Sequence, residues 1–328
     1  MKGSEKMATI DVRIATTTSI VDSGLMNVLK SKFQAWQLAQ LPVPTNIYNL
    51  NWETPNPLSL GSGAAMIAAR EGKADIVMAH DRVGELIFLA ERFALVRKHV
   101  FFNYFGIVGP SSGGPITGDT LATCFTQIAN NSSVIYVSRG PSGRSGTWIR
   151  EQQILKLLSL TLSNVGTPPT PAPPAPPYSG MMATLNYTAG LVGNGDKAYT
   201  LTDIGTWYEF QGGNNNGRLI MLTSPNDYPW DVLPRDPLAS NQYVAMPVNP
   251  NACFDTAPLQ PINTDGAFAF LRWLHTSSGD NNARDTINGY KIEIGTDGNN
   301  NPIEKQGFIY NACSEHFPDN KCLIKPIE

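Results

Sequence analysis

Four short segments of the chain are rich in hydroxyl side chains and glycine, and one of them also contains arginine. They read TTTS at residues 16–19, GSG at 61–63, RGPSGRSGT at 139–147 and TDIGT at 202–206. Hydroxyl and backbone N–H groups donate hydrogen bonds without adding negative charge, and a guanidinium adds positive charge with a planar set of donors. These residue types favour the binding of a small oxyanion, because a buried anion needs hydrogen-bond donors around it.

Each of these segments lies where a predicted helix begins. Apolar periodicity predicts strands and helices in alternation, with strands at 10–16, 45–52, 74–80 and 132–138 and helices at 23–39, 61–73, 81–94 and 145–160. The carboxyl edge of a parallel sheet is where α/β proteins bind ligands, and a helix N-terminus favours an anion. The alternative for each segment is an ordinary Ser or Thr helix cap.

The alternation of strands and helices predicts an α/β protein in which helices flank a mostly parallel sheet. A second unit of the same kind starts near residue 132. The segment at residues 166–180, GTPPTPAPPAPPYSG, is too rich in proline to hold a helix, and we expect it to be an exposed insertion. The alternatives are a domain linker and a binding site for a proline-recognising partner.

Composition restricts the partners and the compartment. The chain has 328 residues and a formal net charge of -3, so it has no basic field that would attract a nucleic acid. It contains no apolar run of membrane-spanning length. The N-terminus, MKGSEKMATIDV, shows no signal peptide, which fits either a start that replaces one or the native start of a cytosolic protein.

The four cysteines have no metal-ligand spacing, so we expect no metal site. Cys313 and Cys322 flank a short polar segment that would suit a disulfide loop, and Cys124 and Cys253 could then pair. The alternative is four free thiols, and we favour disulfides. The sequons at Asn130 and Asn186 add slightly to a secretory interpretation.

The residues that could support catalysis lack the spacing that catalysis requires. The serines of the arginine-containing segment do not form a nucleophile elbow, because GPSGR lacks the second glycine at the right spacing. His80 follows a predicted strand and could serve as a base, but no nucleophile is assigned to it. We therefore expect a protein that is not an enzyme and that needs no cofactor.

Six segments that follow one another along most of the chain resemble one known family. They are ATTTSIVDSGLMNVL, GSGAAMIAAREGKADIVMAHD, FFNYFGIVGP, SRGPSGRSGTW, YTLTDIGTW and NQYVAMPVNP. The resemblance is to the extracytoplasmic tungstate-binding proteins of ABC transporters, which have the type II periplasmic-binding-protein fold. The arginine-containing loop is two residues longer here than the family's pattern, and Trp148 replaces a histidine.

The resemblance implies a two-lobe protein that closes over an oxyanion in the cleft between its lobes. Lobe I would comprise residues 1–104 and 244–328, lobe II would comprise residues 105–243, and two hinge strands would join them. The ligand-binding residues carried over from the family are Thr17, Thr18, Ser19, Ser62, Gly63, Arg139, Ser145, Gly146, Thr147, Thr202 and Thr206.

The resemblance also implies the ligand and the partner. Tungstate or molybdate would be the preferred ion, and an ABC transporter permease would be the partner of a monomeric, extracytoplasmic or secreted chain. A phosphate or sulfate binder remains an alternative. A second alternative is a secreted protein of the same fold that acts through protein–protein contacts, with the proline-rich insertion and the extra cysteines as its working parts.

Overall fold

A computed structural model of the chain gives side-chain positions for most of its length. It describes residues 8–42, 44–53, 58–141, 145–166, 181, 184, 197–213, 217–223, 237–258, 260–297 and 299–310. Several predicted features lie outside these residues, namely positions 142–144 of the arginine-containing segment, positions 167–180 of the proline-rich segment, the Asn186 sequon, and Cys313 with Cys322. The exposed insertion and the Cys313–Cys322 disulfide therefore stay predictions.

Strands and helices alternate along the chain, as the periodicity predicts. The strands are β1 (Ala8–Thr17), β2 (Asn46–Asn51), β3 (Ser59–Leu60), β4 (Ile76–Ala79), β5 (Lys98–Pro110), β6 (Val134–Val137), β7 (Val165–Gly166), β8 (Lys197–Asp203), β9 (Leu219–Met221), β10 (Ser240–Pro247), β11 (Lys291–Thr296), β12 (Pro302–Gln306) and β13 (Ile309–Tyr310). The helices are α1 (Thr18–Asp22), α2 (Leu25–Leu38), α3 (Ser62–Arg70), α4 (Arg82–Ala90), α5 (Leu121–Ala129), α6 (Gly146–Leu157), α7 (Ile204–Gly213), α8 (Thr264–Leu274) and α9 (Ala283–Gly289).

The chain divides into two compact units, and it passes between them within β5, within β10 and on either side of the β11–β12 hairpin. Unit 1 comprises Met1–Phe102, Gln242–Tyr290 and Phe308–Asn320, and unit 2 comprises Asn103–Asn241, Lys291–Gly307 and Lys321–Glu328. The sequence-based boundaries, after residues 104 and 243, lie two residues later than the unit boundaries within β5 and β10. The hairpin β11–β12 belongs to unit 2, because β11 packs on α7, whereas the sequence-based division placed it in lobe I.

The sheet of unit 1 has the strand order β2-β1-β4-β10-β5. β1 runs parallel to β2, β3 and β4, whereas β10 runs antiparallel to β4. β4 reads IVMA and is buried at every position, as expected for a strand covered on both faces. Helix α2 packs its predicted apolar face, which includes Leu25, Leu29 and Phe33, into the core.

The sheet of unit 2 has the order β5-β8-β6-β7. β6 runs parallel to β7 and β8, and β5 runs antiparallel to β8 and β9. The predicted α/β class, with helices against mostly parallel strands, is confirmed. Within the part of the chain that the structure describes, no helix combines the length and the apolar character needed to cross a membrane.

The predicted pairing of Cys124 with Cys253 is wrong. Both residues carry thiols rather than halves of a disulfide. Cys124 lies on α5 in the core of unit 2, where its Sγ is 3.3 Å from the carbonyl oxygen of Gly118. Cys253 belongs to unit 1 and is exposed. An even cysteine count does not by itself indicate disulfides, because a cysteine can also pack in a core as a small apolar side chain.

A buried cluster of charged side chains in unit 1 is sensitive to pH. Nε and Nη2 of Arg97 donate to Oε2 of Glu85 at 2.9 and 2.8 Å, and Nη1 of Arg97 lies 3.1 Å from Nε2 of His99. Because a guanidinium can only donate, His99 accepts through Nε2 and is neutral. Burial, followed by the positive charges of Arg97 and Arg82, lowers the pKa of His99 to about 4. Burial raises the pKa of Glu85 to about 7 against the effect of Arg97.

We expect the His99→Gln variant to lose less stability than wild type when the pH is lowered. Since the folded-state pKa of His99, about 4, lies below its ordinary value of 6.5, the unfolded chain takes up the proton first. The contribution of His99 to stability is therefore present above pH 6.5 and is lost as the pH falls towards 4. Urea unfolding between pH 4 and 8 should show that the variant loses about 1–3 kcal/mol less than wild type over this interval.

Glu85→Gln is the matching variant, because Glu85 should affect the pH dependence of the unfolding free energy in the opposite direction to His99. The folded-state pKa of Glu85, about 7, lies above its ordinary value of 4.5. Its contribution is therefore full below pH 4.5 and is lost as the pH rises through 7. The two variants should change the slope of unfolding free energy against pH in opposite directions. Equal slopes in both variants would contradict the opposite pKa shifts of His99 and Glu85.

Candidate anion-binding site

In unit 1, the hydroxyls of the TTTS segment are joined to a tyrosine of β10. Oγ1 of Thr17 lies 3.1 Å from Oγ of Ser19, which lies 2.9 Å from the hydroxyl of Tyr243. Thr17, Ser19 and Tyr243 are buried, and Thr18 is half-buried. No local sequence pattern points to Tyr243, because it lies 224 residues from Ser19 and only the strand order brings the two together.

The GSG segment lies beside the TTTS segment in unit 1. β3 pairs with the end of β1 in the register Thr16–Ser59 and Thr17–Leu60, so α3 begins next to the turn into α1. Oγ of Ser62 accepts a hydrogen bond from the backbone N–H of His80 at 3.2 Å. Because Ser62 is the acceptor in this bond, its own hydrogen is left to donate elsewhere.

His80 supports this arrangement by packing and through its backbone. Its ring stacks on the ring of Tyr243, with centroids 4.8 Å apart and an angle of 24° between the planes. His80 follows β4, which neighbours both β1 and β10 in the sheet. The turns after β1, β3 and β4 therefore meet around one set of hydroxyls in unit 1.

Two of the predicted anion-binding helix starts lack a side-chain cap. α3 begins after Gly61 and α6 begins after Ser145, and at neither position does a side chain accept a hydrogen bond from the first turn. Neither first turn contains an acidic residue. Side chains cap three other helices, namely α5 by Thr120, α8 by Asn263 and α9 by Asn282, whereas α2 and α4 also begin without a side-chain cap. Uncapped helix N-termini leave N–H donors and partial positive charge for an anion.

In unit 2, a buried carboxylate holds the backbone around Arg139. Oγ of Ser138 lies 2.8 and 3.0 Å from the two carboxylate oxygens of Glu151, and it accepts from the N–H of Gly140 at 3.1 Å. The hydroxyl of Tyr136 donates to Glu151 at 3.0 Å. Burial raises the pKa of Glu151. Gly140 has a φ of 73°, which glycine adopts without strain, so the chain can turn directly after Arg139.

The TDIGT segment spans the end of β8 and the start of α7, and β8 pairs in parallel with β6, the strand before Arg139. Oγ1 of Thr206 donates to Oδ2 of Asp203 at 2.6 Å, and its backbone N–H donates to Oδ1 at 3.1 Å. Asp203 thus caps α7 and uses both donors of Thr206. Thr202 is buried, and among the described residues its Oγ1 makes a long contact of 3.4 Å with the carbonyl oxygen of Asp203. Thr206 is therefore a weaker candidate for anion binding than the sequence suggests.

The remaining predicted residues lie at the start of α6 in unit 2. Gly146 is buried, whereas Ser145 and Thr147 are half-buried, as is Arg139. The structure thus brings Thr17, Ser19 and Ser62 together in unit 1, with Gly63 buried in the first turn of α3. Among the described residues, no group of three or more His, Cys, Asp or Glu side chains could hold a metal ion.

Comparisons with known proteins agree with this architecture. The PBP (periplasmic binding protein) superfamily domain matches residues 7–278. A protein of Haloferax volcanii that carries the name ABC transporter anion-binding protein is 30% identical over 274 residues, which are 83% of this chain and 68% of that protein. The tungstate-binding protein TupA of Peptoclostridium acidaminophilum is 26% identical over 80% of this chain and 76% of its own length.

A solved structure shows the same fold. The tungstate-binding protein TupA from Desulfovibrio alaskensis G20 superposes with a TM-score of 0.61 at 24% identity, over 92% of this chain and 99% of that chain. All three relatives are named as binding proteins, and none is named as an enzyme. With a family match that spans well over half of its length, this chain belongs to the PBP superfamily and has the type II periplasmic-binding-protein fold.

Proposed function

We propose that the chain is an extracytoplasmic solute-binding protein that captures a tetrahedral oxyanion, with tungstate or molybdate preferred. The observation that carries the proposal is the set of hydroxyls in unit 1. Thr17 and Ser19 lie within hydrogen-bond distance there, Ser62 opens the helix after the neighbouring strand β3, and none of their described hydrogen bonds is to a carboxylate. The names of the relatives, an anion-binding protein and tungstate-binding proteins, support the same class of ligand.

The charge of the ion explains the choice of donors. Tungstate, molybdate and sulfate carry no proton at neutral pH, so a site of donors alone suits them, whereas phosphate often carries a proton and rewards an acceptor. A buried dianion is costly unless each oxygen is hydrogen-bonded and a positive charge is near. In this proposal, Arg139 supplies that charge with the fork of donors that suits an oxyanion.

The proposal assigns donors from both units to the same ion. From unit 1 these are Thr17, Thr18, Ser19, Ser62 and Gly63. From unit 2 they are Arg139, Ser145, Gly146 and Thr147, with Thr202 as a further hydroxyl. Thr206 contributes by fixing the start of α7 through Asp203 rather than by donating to the ion.

The proposal includes a transport partner. The Haloferax volcanii relative is named for an ABC transporter, which supports delivery of the ion to a membrane permease of that class. Such a role places the chain outside the cytoplasm, where it meets the ion first. Closure of the two lobes around the ion at their hinge strands is the expected conformational step.

Addition of tungstate should stabilise the folded protein. Because the ion binds the native state and not the unfolded chain, a thousandfold excess over Kd should add about 4 kcal/mol to the unfolding free energy. Thermal unfolding followed with tungstate, molybdate, sulfate and phosphate measures this, and calorimetry with the four anions in competition ranks them. If no anion shifts the transition, the proposed function is wrong.

Arg139→Ala should weaken tungstate binding by roughly tenfold to 150-fold, since a charge-assisted hydrogen bond contributes about 1.5–3 kcal/mol. The matched control is Arg218→Ala, because Arg218 is an exposed arginine of the same unit. Calorimetric titration of both variants compares the loss of the two charges. An equal loss in both would show that general electrostatic attraction, rather than a site containing Arg139, binds the ion.

A further inference from the structure

We propose that Glu151 is a positioning residue that joins Arg139 to helix α6, so that the position of Arg139 relative to the start of the helix does not depend on the loop between them. This inference rests on the proposed function and deepens it, because it explains how two groups of donors in unit 2 are aligned for the same ion. Glu151 lies on α6, outside every segment that the sequence indicates as ligand-binding.

The carboxylate of Glu151 is a shared acceptor for the chain around Arg139. Ser138 precedes Arg139, and its Oγ donates to this carboxylate, 2.8 Å from Oε1 and 3.0 Å from Oε2. The same Oγ accepts a hydrogen bond from the N–H of Gly140, which follows Arg139, at 3.1 Å. The backbone of Arg139 also makes a hydrogen bond to Glu151. Three consecutive residues are therefore held by one side chain of α6.

Glu151 is itself held in place by further donors. It is 2% exposed, and it accepts hydrogen bonds from the hydroxyl of Tyr136 and from Nε2 of Gln152, each at 3.0 Å. Burial, followed by the charge of Glu151, raises the pKa of Tyr136 well above its ordinary value of 10, so Tyr136 stays a donor at neutral pH. Any rotation of the carboxylate would leave buried donors unpaired, which is costly.

Helix α6 carries this constraint to the proposed donors at its start. The helix is continuous from Gly146 to Leu157, and the N–H of Ile149 donates to the carbonyl oxygen of Ser145 at 3.0 Å. At a rise of 1.5 Å per residue, Glu151 lies about 9 Å along the helix from Ser145. A regular helix keeps that spacing fixed, so Glu151 sets where the chain around Arg139 lies relative to the helix start.

This connection accounts for the length of the arginine-containing loop. The loop is two residues longer than the pattern of the family that the sequence resembles. If the loop alone set the distance, two added residues could displace Arg139 from α6 by up to about 7 Å, because an extended residue spans about 3.3–3.6 Å. Since Glu151 holds the chain as far as Gly140 through Ser138, residues added after Gly140 need not move Arg139.

Glu151→Gln tests the connection with a side chain of nearly the same shape. Its amide oxygen can accept but its NH₂ group cannot, so Ser138 and Tyr136 lose part of their acceptor. Calorimetry should show tungstate affinity falling about tenfold, as expected when a charge-assisted hydrogen bond of Arg139 is misaligned. In an Arg139→Ala background, Glu151→Gln should add less than about twofold, because both changes act on the same bond. Glu209→Gln is the control, since Glu209 is a half-buried carboxylate of the same unit.

Two further sets of variants separate the side-chain connection from the loop. Insertion of two glycines between Pro141 and Ser142 should change tungstate affinity by less than about threefold, because only a small loop-closure term changes. Ser138→Ala removes one link but keeps Glu151, and it should weaken binding several-fold. Ser138→Thr keeps the hydroxyl and should restore the affinity. Urea unfolding checks that each variant is folded.

The outcomes separate the inference from the function on which it rests. If wild type binds none of tungstate, molybdate, sulfate and phosphate, the proposed function fails and the inference falls with it. If wild type binds tungstate and Glu151→Gln binds it equally well, only the inference is overturned. An equal loss with and without Arg139, or a glycine insertion that costs as much affinity as Glu151→Gln, would also overturn it. If Glu151→Gln does not fold, equal affinities of Ser138→Ala and Ser138→Thr overturn it.

Discussion

The parallel pairing of β1 with both β3 and β4 is the constraint on which the unit 1 site depends. Parallel strands end at the same edge of a sheet, so the turns that follow them have to meet there. The register of Thr16 with Ser59 and of Thr17 with Leu60 places the starts of α1 and α3 side by side. β10, which pairs with β4, then adds a tyrosine beneath the same turns. A different strand order would leave the same hydroxyls as scattered helix caps.

The two helices α3 and α6, whose starts are proposed to bind an ion, begin without a side-chain cap, as do α2 and α4. α5, α8 and α9 satisfy their first N–H groups with Thr120, Asn263 and Asn282, and each such cap contributes about 1 kcal/mol. α3 and α6 lack this contribution. An anion that accepts hydrogen bonds from these N–H groups would supply a similar stabilisation. Ligand binding would therefore raise the stability of the protein, as the proposed function requires.

Buried carboxylates in unit 2 hold backbone segments while they accept hydrogen bonds from neutral groups. Glu151 accepts from Tyr136 and Ser138 and fixes the turn at Arg139, and Asp203 accepts from Thr206 and Asn103 and fixes the start of α7. A carboxylate that is fully hydrogen-bonded can be buried at acceptable cost. Rigid support of this kind matters for oxyanion binding, because the strength of a hydrogen bond falls steeply as its geometry worsens.

The sequence by itself determined the α/β class, the positions of most strands and helices, and the donor-rich segments at helix starts. These features depend on local periodicity and residue type, and the motifs from TTTS to NQYVAMPVNP indicated the family. Only the tertiary structure decided which hydroxyls meet and which are already used. Tyr243 contacts Ser19 although 224 residues separate them. The hydroxyl of Thr206 donates to Asp203, and Cys124 and Cys253 are thiols that do not bond to each other. The physical reason is that these contacts depend on strand order and register, which no local pattern encodes.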